Sequence, residues 1–210
     1  MQKAKDKNVP LIWMDSSNVT NISYAKHMTF EYKSQTFSSR LLGYHQAMNA
    51  SLAIEIITYL NDHSNLSVTM DEIQYGIRNA SWPGRLERYY NVLFDGAHNI
   101  GGVLALKNAI NDIFKDQKIV VLYAVMQDKE YFDMIKDIET FADSIYFTEF
   151  DYPRCEKAEI LYEISSHPNK HMNVDAYELY QEVQSQHSDA LIIITGSLYF
   201  VSYMRKHIVK

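Results

Sequence analysis

The fold is decided by the stretch NVLFDGAHNIGGVLALKNAI, which spans residues 91–110. It opens with a short apolar run that ends at Asp95 and Gly96, where a turn is expected. Beyond the turn, apolar residues recur at helical spacing, which predicts a helix over residues 103–114. A strand, a turn and a helix in this order form the repeating unit of α/β proteins.

The same alternation continues to the C-terminus. Further apolar strands are predicted at residues 118–125, 144–150, 172–176 and 190–196. Helices are predicted at residues 131–142, 158–165, 179–186 and 198–207. Continuous Val, Ile and Leu strands need cover on both faces, so the sequence predicts a Rossmann-like, mostly parallel sheet with helices on both faces. Ligands are expected at the carboxyl ends of its strands.

Toward the N-terminus the pattern changes at residues 81–84, Ser-Trp-Pro-Gly. Pro83 restricts Trp82 to extended geometry, and Gly84 permits a turn. We therefore expect a domain boundary here, with residues 1–80 in one domain and residues 81–210 in the other.

The first 80 residues are predicted to mix short strands with two helices. Residues 9–14 and 28–37 alternate with period two, which favours strands. Thr69 and Glu72 have the spacing of a capping box, which predicts a helix over residues 70–78. Residues 41–60 are predicted to form a long, largely buried helix, because one helical face carries Tyr44, Met48, Leu52, Ile56 and Leu60.

Composition excludes several functional classes. The 210 residues contain 20 Lys and Arg against 26 Asp and Glu, and the basic residues form no stripe, so nucleic acid is not an expected partner. Apolar runs stay far below the roughly 20 residues that a membrane-spanning helix needs, so no membrane partner is expected. The single Cys155 suits a reducing compartment, so a cytoplasmic location is expected.

The DGAHN segment, residues 95–99, follows the first strand of the α/β region and precedes a helix. At this position Asp95 is either the cap of an ordinary turn or a carboxylate that accepts from a ribose hydroxyl or orients His98. His98 can then donate to an anionic substrate or intermediate, and the adjacent Asn99 is a candidate substrate contact.

Three further motifs carry candidate ligand contacts. Arg85 follows the rigid Pro-Gly turn and can clamp a phosphate, although it is also typical of a solvated linker. Asn49 can read an adenine edge, or it is a helix cap or a satisfied core amide. Ser197 of TGSLYF can present its hydroxyl to an anion, or it is an ordinary helix N-cap. The charges of Asp128-Lys129 and Pro153-Arg154 fall at the same predicted edge.

Several motifs of self-contained enzymes do not occur in the sequence. No GxxxxGK[ST], GxGxxG, HExxH or clustered Cys/His pattern is found in the 210 residues. A self-contained NTPase, dehydrogenase or zinc enzyme is therefore not supported, and no metal-binding residue is assigned.

Read in order, LLGYHQAMNA, WPGRLE, DGAHN, VMQDKE, PR and ITGSLYFVS resemble the folylpolyglutamate synthase/dihydrofolate synthase family of the Mur ligase superfamily. The resemblance covers nearly the whole chain but only about the latter half of a family member. It implies that residues 1–80 are the end of the central ATPase domain without its P-loop, and that residues 81–210 are the C-terminal glutamate ligase domain.

The resemblance also implies a reaction. Members of this family use ATP and magnesium to convert a folate or dihydropteroate carboxylate to an acyl phosphate, which the amino group of L-glutamate attacks to form an amide, with ADP released. By motif, Asn49, Arg85 and Asp95 are the implied ATP contacts and His98 is the implied catalytic residue. His98, Asn99 and Ser197 are the candidate substrate contacts, and the intact form is expected to be a monomer.

The sequence departs from the family pattern at Ile100, Glu130 and Cys155, where Pro, Asp and Ala are common. These departures leave the proposed contacts in place. Because the P-loop, the magnesium ligands and the catalytic lysine of the family belong to its first half, the 210-residue chain alone is expected to be inactive. The alternative is a non-catalytic Rossmann-like module for nucleotide binding or assembly.

Overall fold

The computed structural model describes residues 2–209, which fall into two compact units. Among the described residues, the first unit comprises residues 2–40 and 44–80, and the second comprises residues 41–43 and 81–209. None of the described helices is both long and apolar enough to cross a membrane.

The first unit is a small antiparallel sheet with helices. A short helix α1, Gln2–Asp6, precedes the strands β1, Val19–Tyr24, β2, Met28–Tyr32, and β3, Gln35–Ser39, which pair in the order β1-β2-β3. The helices α2, Tyr44–His63, and α3, Met70–Asn79, follow. The predicted capping box is confirmed, because Thr69 Oγ1 accepts from the Glu72 N–H and the Glu72 carboxylate accepts from the Thr69 N–H at 2.8 Å.

Two predictions for this unit are wrong. Residues 9–14 form no strand, and Val9, Leu11, Ile12 and Trp13 are at least half exposed. The predicted apolar face of α2 is not its buried face, because Tyr44, Leu52, Ile56 and Leu60 are exposed. The buried residues of α2 are Ala47, Ser51 and Ile54.

The second unit is the predicted mostly parallel α/β fold. Its six strands are β4, Glu87–Tyr89, β5, Val92–Phe94, β6, Ile119–Tyr123, β7, Ser144–Glu149, β8, Lys170–Asp175, and β9, Leu191–Thr195. They pair in the order β4-β5-β9-β6-β7-β8, and only β4 is antiparallel to its neighbour.

Helices cover both faces of this sheet, as predicted. They are α4, Ile100–Ile113, α5, Tyr131–Glu139, α6, Ala158–Ile164, α7, Ala176–Gln186, and α8, Leu198–Ile208. The strand residues Leu93, Val121 and Ile193 pack with α4, α5 and α6 in one core cluster. Their neighbours along the strands, Val92 and Val120, point the other way and pack with α7 and α8.

The strand order of the six-stranded sheet indicates where a ligand is expected to bind. From β5 the chain moves through β6 and β7 to β8, and then returns to insert β9 between β5 and β6. The direction of winding therefore reverses beside β9, and α/β sheets bind ligands at such a reversal, outside the carboxyl ends of the strands. The segments that leave β5, β6 and β9 at this edge are the predicted ligand loops.

Candidate functional site

A cavity of about 280 Å³ opens at the carboxyl ends of the strands of the second unit. The loops after β5, β6, β7 and β9 all contribute to it, with residues His98, Met126, Asp128, Lys129, Arg154, Gly196, Ser197, Leu198 and Tyr199. Three of these residues are potential cations or proton carriers, so the cavity is suited to an anionic ligand that must exchange a proton.

His98 lines this cavity with one ring nitrogen already engaged. Its Nδ1 lies 2.8 Å from the carbonyl oxygen of Gly96. A carbonyl oxygen only accepts, so Nδ1 carries the hydrogen, and in the neutral ring Nε2 holds a free lone pair. The turn at Gly96 thereby favours the tautomer in which Nε2 is available as a hydrogen-bond acceptor.

Asp95 is buried at the base of the same loop, 6% exposed. One carboxylate oxygen accepts from the Leu86 N–H and the other from the Ala97 N–H, both at 3.0 Å. Burial raises the pKa of Asp95 to about 6, although the two N–H groups and the charges of Arg85 and His98 act to lower it. Asp95 is thus a turn cap. His98 is oriented by the hydrogen bond that its Nδ1 donates to the carbonyl oxygen of Gly96, and not by Asp95. A ribose contact of Asp95 stays a prediction.

The Pro-Gly turn is tied to the DGAHN loop by backbone contacts. The Gly96 N–H donates to the carbonyl oxygen of Gly84 at 2.8 Å, and Gly84 has a φ of 74°, a left-handed value that favours glycine. Leu86, whose N–H reaches Asp95, also has a positive φ of 45°. Arg85, between them, is half-buried and near enough to lower the pKa of Asp95. Its phosphate contact stays a prediction.

Two of the candidate substrate contacts are helix caps. Ser197 Oγ accepts from the Tyr199 N–H at 3.2 Å and caps α8, while Asn99 Oδ1 accepts from the Gly102 N–H at 2.7 Å and caps α4. Ser197 is buried and still lines the cavity, whereas Asn99 is exposed. The cap interpretation given for Ser197 is therefore confirmed, and the cap formed by Asn99 is an additional finding. The substrate contacts of both side chains stay predictions.

Asn49 belongs to the first unit. It lies in the sixth position of α2, is exposed, and donates through Nδ2 to Gln46 Oε1 at 3.3 Å. The two structural alternatives, a helix cap and a buried core amide, are therefore wrong. Its adenine contact stays a prediction.

Sequence reasoning assigned no role to Lys129, Arg154 and Tyr199, which line the cavity, or to Tyr152, which contacts Tyr199. Lys129 and Arg154 both approach Asp128, at 2.9 Å and 3.8 Å. Tyr152 and Tyr199 lie with ring centroids 4.6 Å apart, and their hydroxyl contact, together with Arg154, lowers the pKa of Tyr152. The positions of Lys129 and Arg154 after β6 and β7 are the sequence feature that indicated their place at this edge. No sequence feature indicated that Tyr152 and Tyr199 lie in contact.

Within residues 2–209 no group of three or more His, Cys, Asp or Glu side chains is arranged to hold a metal ion. Each oxygen of the buried Asp95 carboxylate accepts a backbone N–H group, and the carboxylate of Asp128 is engaged by Lys129. The described residues therefore do not fit a magnesium site.

Comparison with known proteins agrees with this fold. Residues 84–198 match the family model described as Mur ligase, glutamate ligase domain. A dihydrofolate synthase/folylpolyglutamate synthase of Bacillus subtilis is 37% identical over 172 residues, which are 80% of this chain and 40% of that protein. A probable dihydrofolate synthetase of Schizosaccharomyces pombe is 26% identical and is matched over 86% of this chain and 46% of its own.

Solved structures show the same fold. Folylpolyglutamate synthase of Mycobacterium tuberculosis, complexed with ADP and AMPPCP, superimposes with a TM-score of 0.80 at 23% identity, over 91% of this chain and 48% of that one. Folylpolyglutamate synthase of Thermotoga maritima superimposes with a TM-score of 0.77 at 20% identity, over 100% of this chain and 50% of that one. This chain spans about half the length of such relatives. By its residues 84–198, the chain belongs to the Mur ligase family, as a member with the glutamate ligase domain, and its relatives are folylpolyglutamate and dihydrofolate synthases.

Proposed function

We propose that this chain is the C-terminal part of an ATP-dependent, ADP-forming ligase that adds L-glutamate to a folate or to dihydropteroate. The observation that carries the proposal is the cavity in which His98, Lys129 and Arg154 meet at the carboxyl edge of the sheet. The names and sequence identity of the relatives support the reaction class.

In this proposal His98 receives the proton of the incoming amino group. Its Nε2 has the free lone pair because Nδ1 donates to Gly96. The glutamate nitrogen forms a bond to the carbonyl carbon of an acyl phosphate and its proton passes to Nε2. The bond between that carbon and the phosphate oxygen then breaks, and inorganic phosphate leaves with the electron pair. A fixed tautomer means that no ring flip is needed before the transfer.

Lys129 and Arg154 hold the carboxylates of L-glutamate in the proposal. Both cations line the cavity with His98, and each lies within ion-pair distance of the exposed Asp128. An anionic amino acid restores the charge balance, and the planar guanidinium of Arg154 can bind a carboxylate with two hydrogen bonds. An amino acid with an uncharged side chain offers only its α-carboxylate, so one of the two cations would keep Asp128 as its single anionic partner.

ATP is the proposed second substrate, with Arg85, Asp95 and Asn49 as its contacts and Asn99 and Ser197 as further substrate contacts. When bound with magnesium, ATP supplies the phosphoryl group of the acyl phosphate. The described residues do not fit the metal, so its ligands and a P-loop are assigned to a part of the ligase outside these 210 residues. We place the enzyme in the cytoplasm as a monomer, in keeping with the single Cys155.

The test is complementation in trans. The 210-residue chain is mixed with the P-loop-containing part of the Bacillus subtilis relative that it does not match, and ADP release is measured with a folate or dihydropteroate acceptor and L-glutamate. We expect no ADP from the chain alone and glutamate-dependent ADP from the mixture. A mixture that binds ATP but never releases ADP would favour the non-catalytic module.

Two variants distinguish an effect on the candidate active site from an effect on folding in this assay. His98→Ala should lower glutamate-dependent ADP release by about 100-fold or more, because a general base contributes on that scale. His171→Ala, on the exposed edge strand β8, is the matched control and should be fully active. Equal rates for the two variants would remove His98 from the mechanism.

A further inference from the structure

Helix α2 carries an apolar face that the chain leaves exposed. Leu52, Ile56 and Leu60 recur every four residues, so they share one side of the helix, and they are 49%, 50% and 38% exposed. We call these three residues the outer face of α2. Ala47 and Ile54, which are buried within the first unit, lie on the opposite side of the helix. α2 therefore has apolar side chains on two sides, and this chain covers only one of them.

The charged side chains of α2 avoid the outer face. Glu55 accepts from the Tyr32 hydroxyl at 2.8 Å and pairs with Lys33, and Asp62 lies in the last turn of the helix. The solvent side of a surface helix normally carries polar and charged residues, whereas a helix that is apolar on all sides is buried. The outer face thus has the composition of a protein interface.

The first unit also has a small interior for its size. Among the described residues, eight of its apolar residues are buried, against 41 in the second unit, although the first unit has more than half as many residues. The apolar side chains of residues 9–13 are exposed as well, and this segment forms no strand. A unit of this length that buries so little apolar surface normally needs a partner.

The length of the relatives indicates what covers the outer face. They are about twice as long as this chain, so the part of them that this chain does not match is about as long as the chain itself. The proposed P-loop belongs to that part. Asn49, the proposed adenine contact, is exposed and lies one helical turn before Leu52 on the same side of α2. A nucleotide held by Asn49 and by a P-loop therefore brings the P-loop-containing part to this side of the helix.

We propose that the outer face of α2 is the docking surface for the P-loop-containing part of the ligase. The inference rests on the proposed function, and it adds the residues through which the two parts associate. A second copy of this chain is a poorer occupant, because three half-exposed aliphatic side chains fall far short of the roughly 800 Å² per partner that a standard interface buries. The P-loop-containing part can cover residues 9–13 in addition.

Co-purification tests the proposal without any catalytic readout. The P-loop-containing part of the Bacillus subtilis relative carries an affinity tag and is co-expressed with the full 210-residue chain, and the chain retained with it is quantified. We expect the wild-type chain to be retained in an equimolar amount. Failure of the wild-type chain to co-purify overturns the proposal.

Variants assign the association to the outer face. Ile56→Glu and Leu52→Glu should each lower retention by about tenfold or more, because a charge would have to be buried in an apolar interface. Both positions are half exposed, so the free chain tolerates the change, and its far-UV circular dichroism should match the wild type. Leu104→Glu is the matched control, since Leu104 is a 46% exposed leucine on a helix of the second unit, and it should be retained like the wild type. Equal retention of all three variants contradicts the assignment.

Two further measurements separate this inference from its alternatives. Sedimentation of the chain alone should give the same molecular mass for the wild type and Ile56→Glu. A wild-type dimer that Ile56→Glu dissociates would assign the outer face to a second copy and overturn the proposal. ADP release is measured on the same co-purified samples. A complex that forms through the outer face but releases no ADP supports the docking surface and counts against the proposed ligase activity, whereas full ADP release with Ile56→Glu supports the activity and refutes the docking surface.

Discussion

A single buried carboxylate holds two turns of the candidate site together. Asp95 accepts one N–H from the turn before β4, at Leu86, and one from its own loop, at Ala97. Because Leu86 has a positive φ, this hydrogen bond also helps to hold a backbone conformation that a leucine rarely adopts. The position of His98 therefore depends on a residue that need not touch a ligand.

The burial of Asp95 predicts a pH-dependent stability. Its ordinary pKa of 3.8 is raised to about 6 in the folded chain, so the folded state binds the proton more tightly than the unfolded state. Its contribution to the free energy of unfolding is complete below about pH 4 and falls by up to about 3 kcal/mol as the pH rises through 6. Urea unfolding of the wild type and of Asp95→Asn, at pH values from 4 to 7, measures this difference.

Asparagine has nearly the same shape as aspartate but does not titrate. The Asp95→Asn variant is therefore the reference against which the effect of the carboxylate charge is measured. The free energy of unfolding of the wild type, relative to Asp95→Asn, should decrease between pH 4 and pH 6. A difference that stays constant over this range, or grows with pH, would show that the carboxyl group does not titrate with a raised pKa.

At the scale of single residues, the sequence identified which residues lie at the site better than it identified their hydrogen-bond partners. Asp95, His98 and Ser197 were singled out because they follow strands, and His98 and Ser197 do line one cavity. Their partners are backbone atoms, at Leu86, Gly96 and Tyr199, and the side-chain pattern carries no information about them. Tertiary hydrogen bonds to the backbone depend on loop conformation, which local propensity does not fix.

The turn between β9 and α8 leaves no room for a side chain at Gly196. Gly196 has a φ of 108°, and its N–H donates to the carbonyl oxygen of Ala97 at 3.1 Å. A Cβ here would lie 2.5 Å from the carbonyl oxygen of Ala124 and 2.8 Å from the ring of Tyr123. Both obstacles are buried, so the strand and its neighbour would have to move.

Gly196→Ala should therefore lower the free energy of unfolding by about 3 kcal/mol or more, because it adds backbone strain to a clash with backbone. Gly101→Ala is the matched control in the same unit, since a Cβ there meets only Asn99 Oδ1 at an ordinary 3.7 Å. Gly101 lies in α4, so alanine should stabilise the chain by about 0.5–1 kcal/mol. Urea denaturation of both variants measures the contrast, and equal stabilities would refute it.

At the scale of elements, the buried parallel strands were predictable and the polar ones were not. β6 and β9 are fully buried and consist mainly of Val, Ile and Leu. Such continuous apolar runs predict buried parallel strands directly from the sequence. β1, with the sequence VTNISY, and β4, with ERY, were missed because polar residues interrupt them and their pairing is set by partners.

The wrong face of α2 has a geometric cause. Residues four apart are about 40° out of line on a helix of 3.6 residues per turn, so a stripe such as Tyr44, Leu52 and Leu60 winds around the axis. The buried residues follow the closer spacing of Ala47, Ser51 and Ile54, two of which are small. Apolar character alone did not distinguish the packed face from the exposed one.

At the scale of the molecule, each unit has its own packing. The second unit holds two core clusters, one on each face of its sheet, and all their members come from residues 86–209 except Leu42, which packs at the margin. Leu42 belongs to the short segment 41–43 that clusters with the second unit. The interior of the second unit is therefore almost complete without the first 80 residues.

Residues 81–210 should consequently fold when produced alone. We expect a single cooperative urea transition and a near-UV circular dichroism signal from the buried Tyr123 and Tyr146, because both remain in intact clusters. Loss of the Leu42 contact should cost about 1–2 kcal/mol relative to a chain of residues 41–210, since a partly buried leucine contributes less than a fully buried one. A non-cooperative transition, or native far-UV signal without near-UV signal, would mean that residues 81–210 do not form a folding unit by themselves.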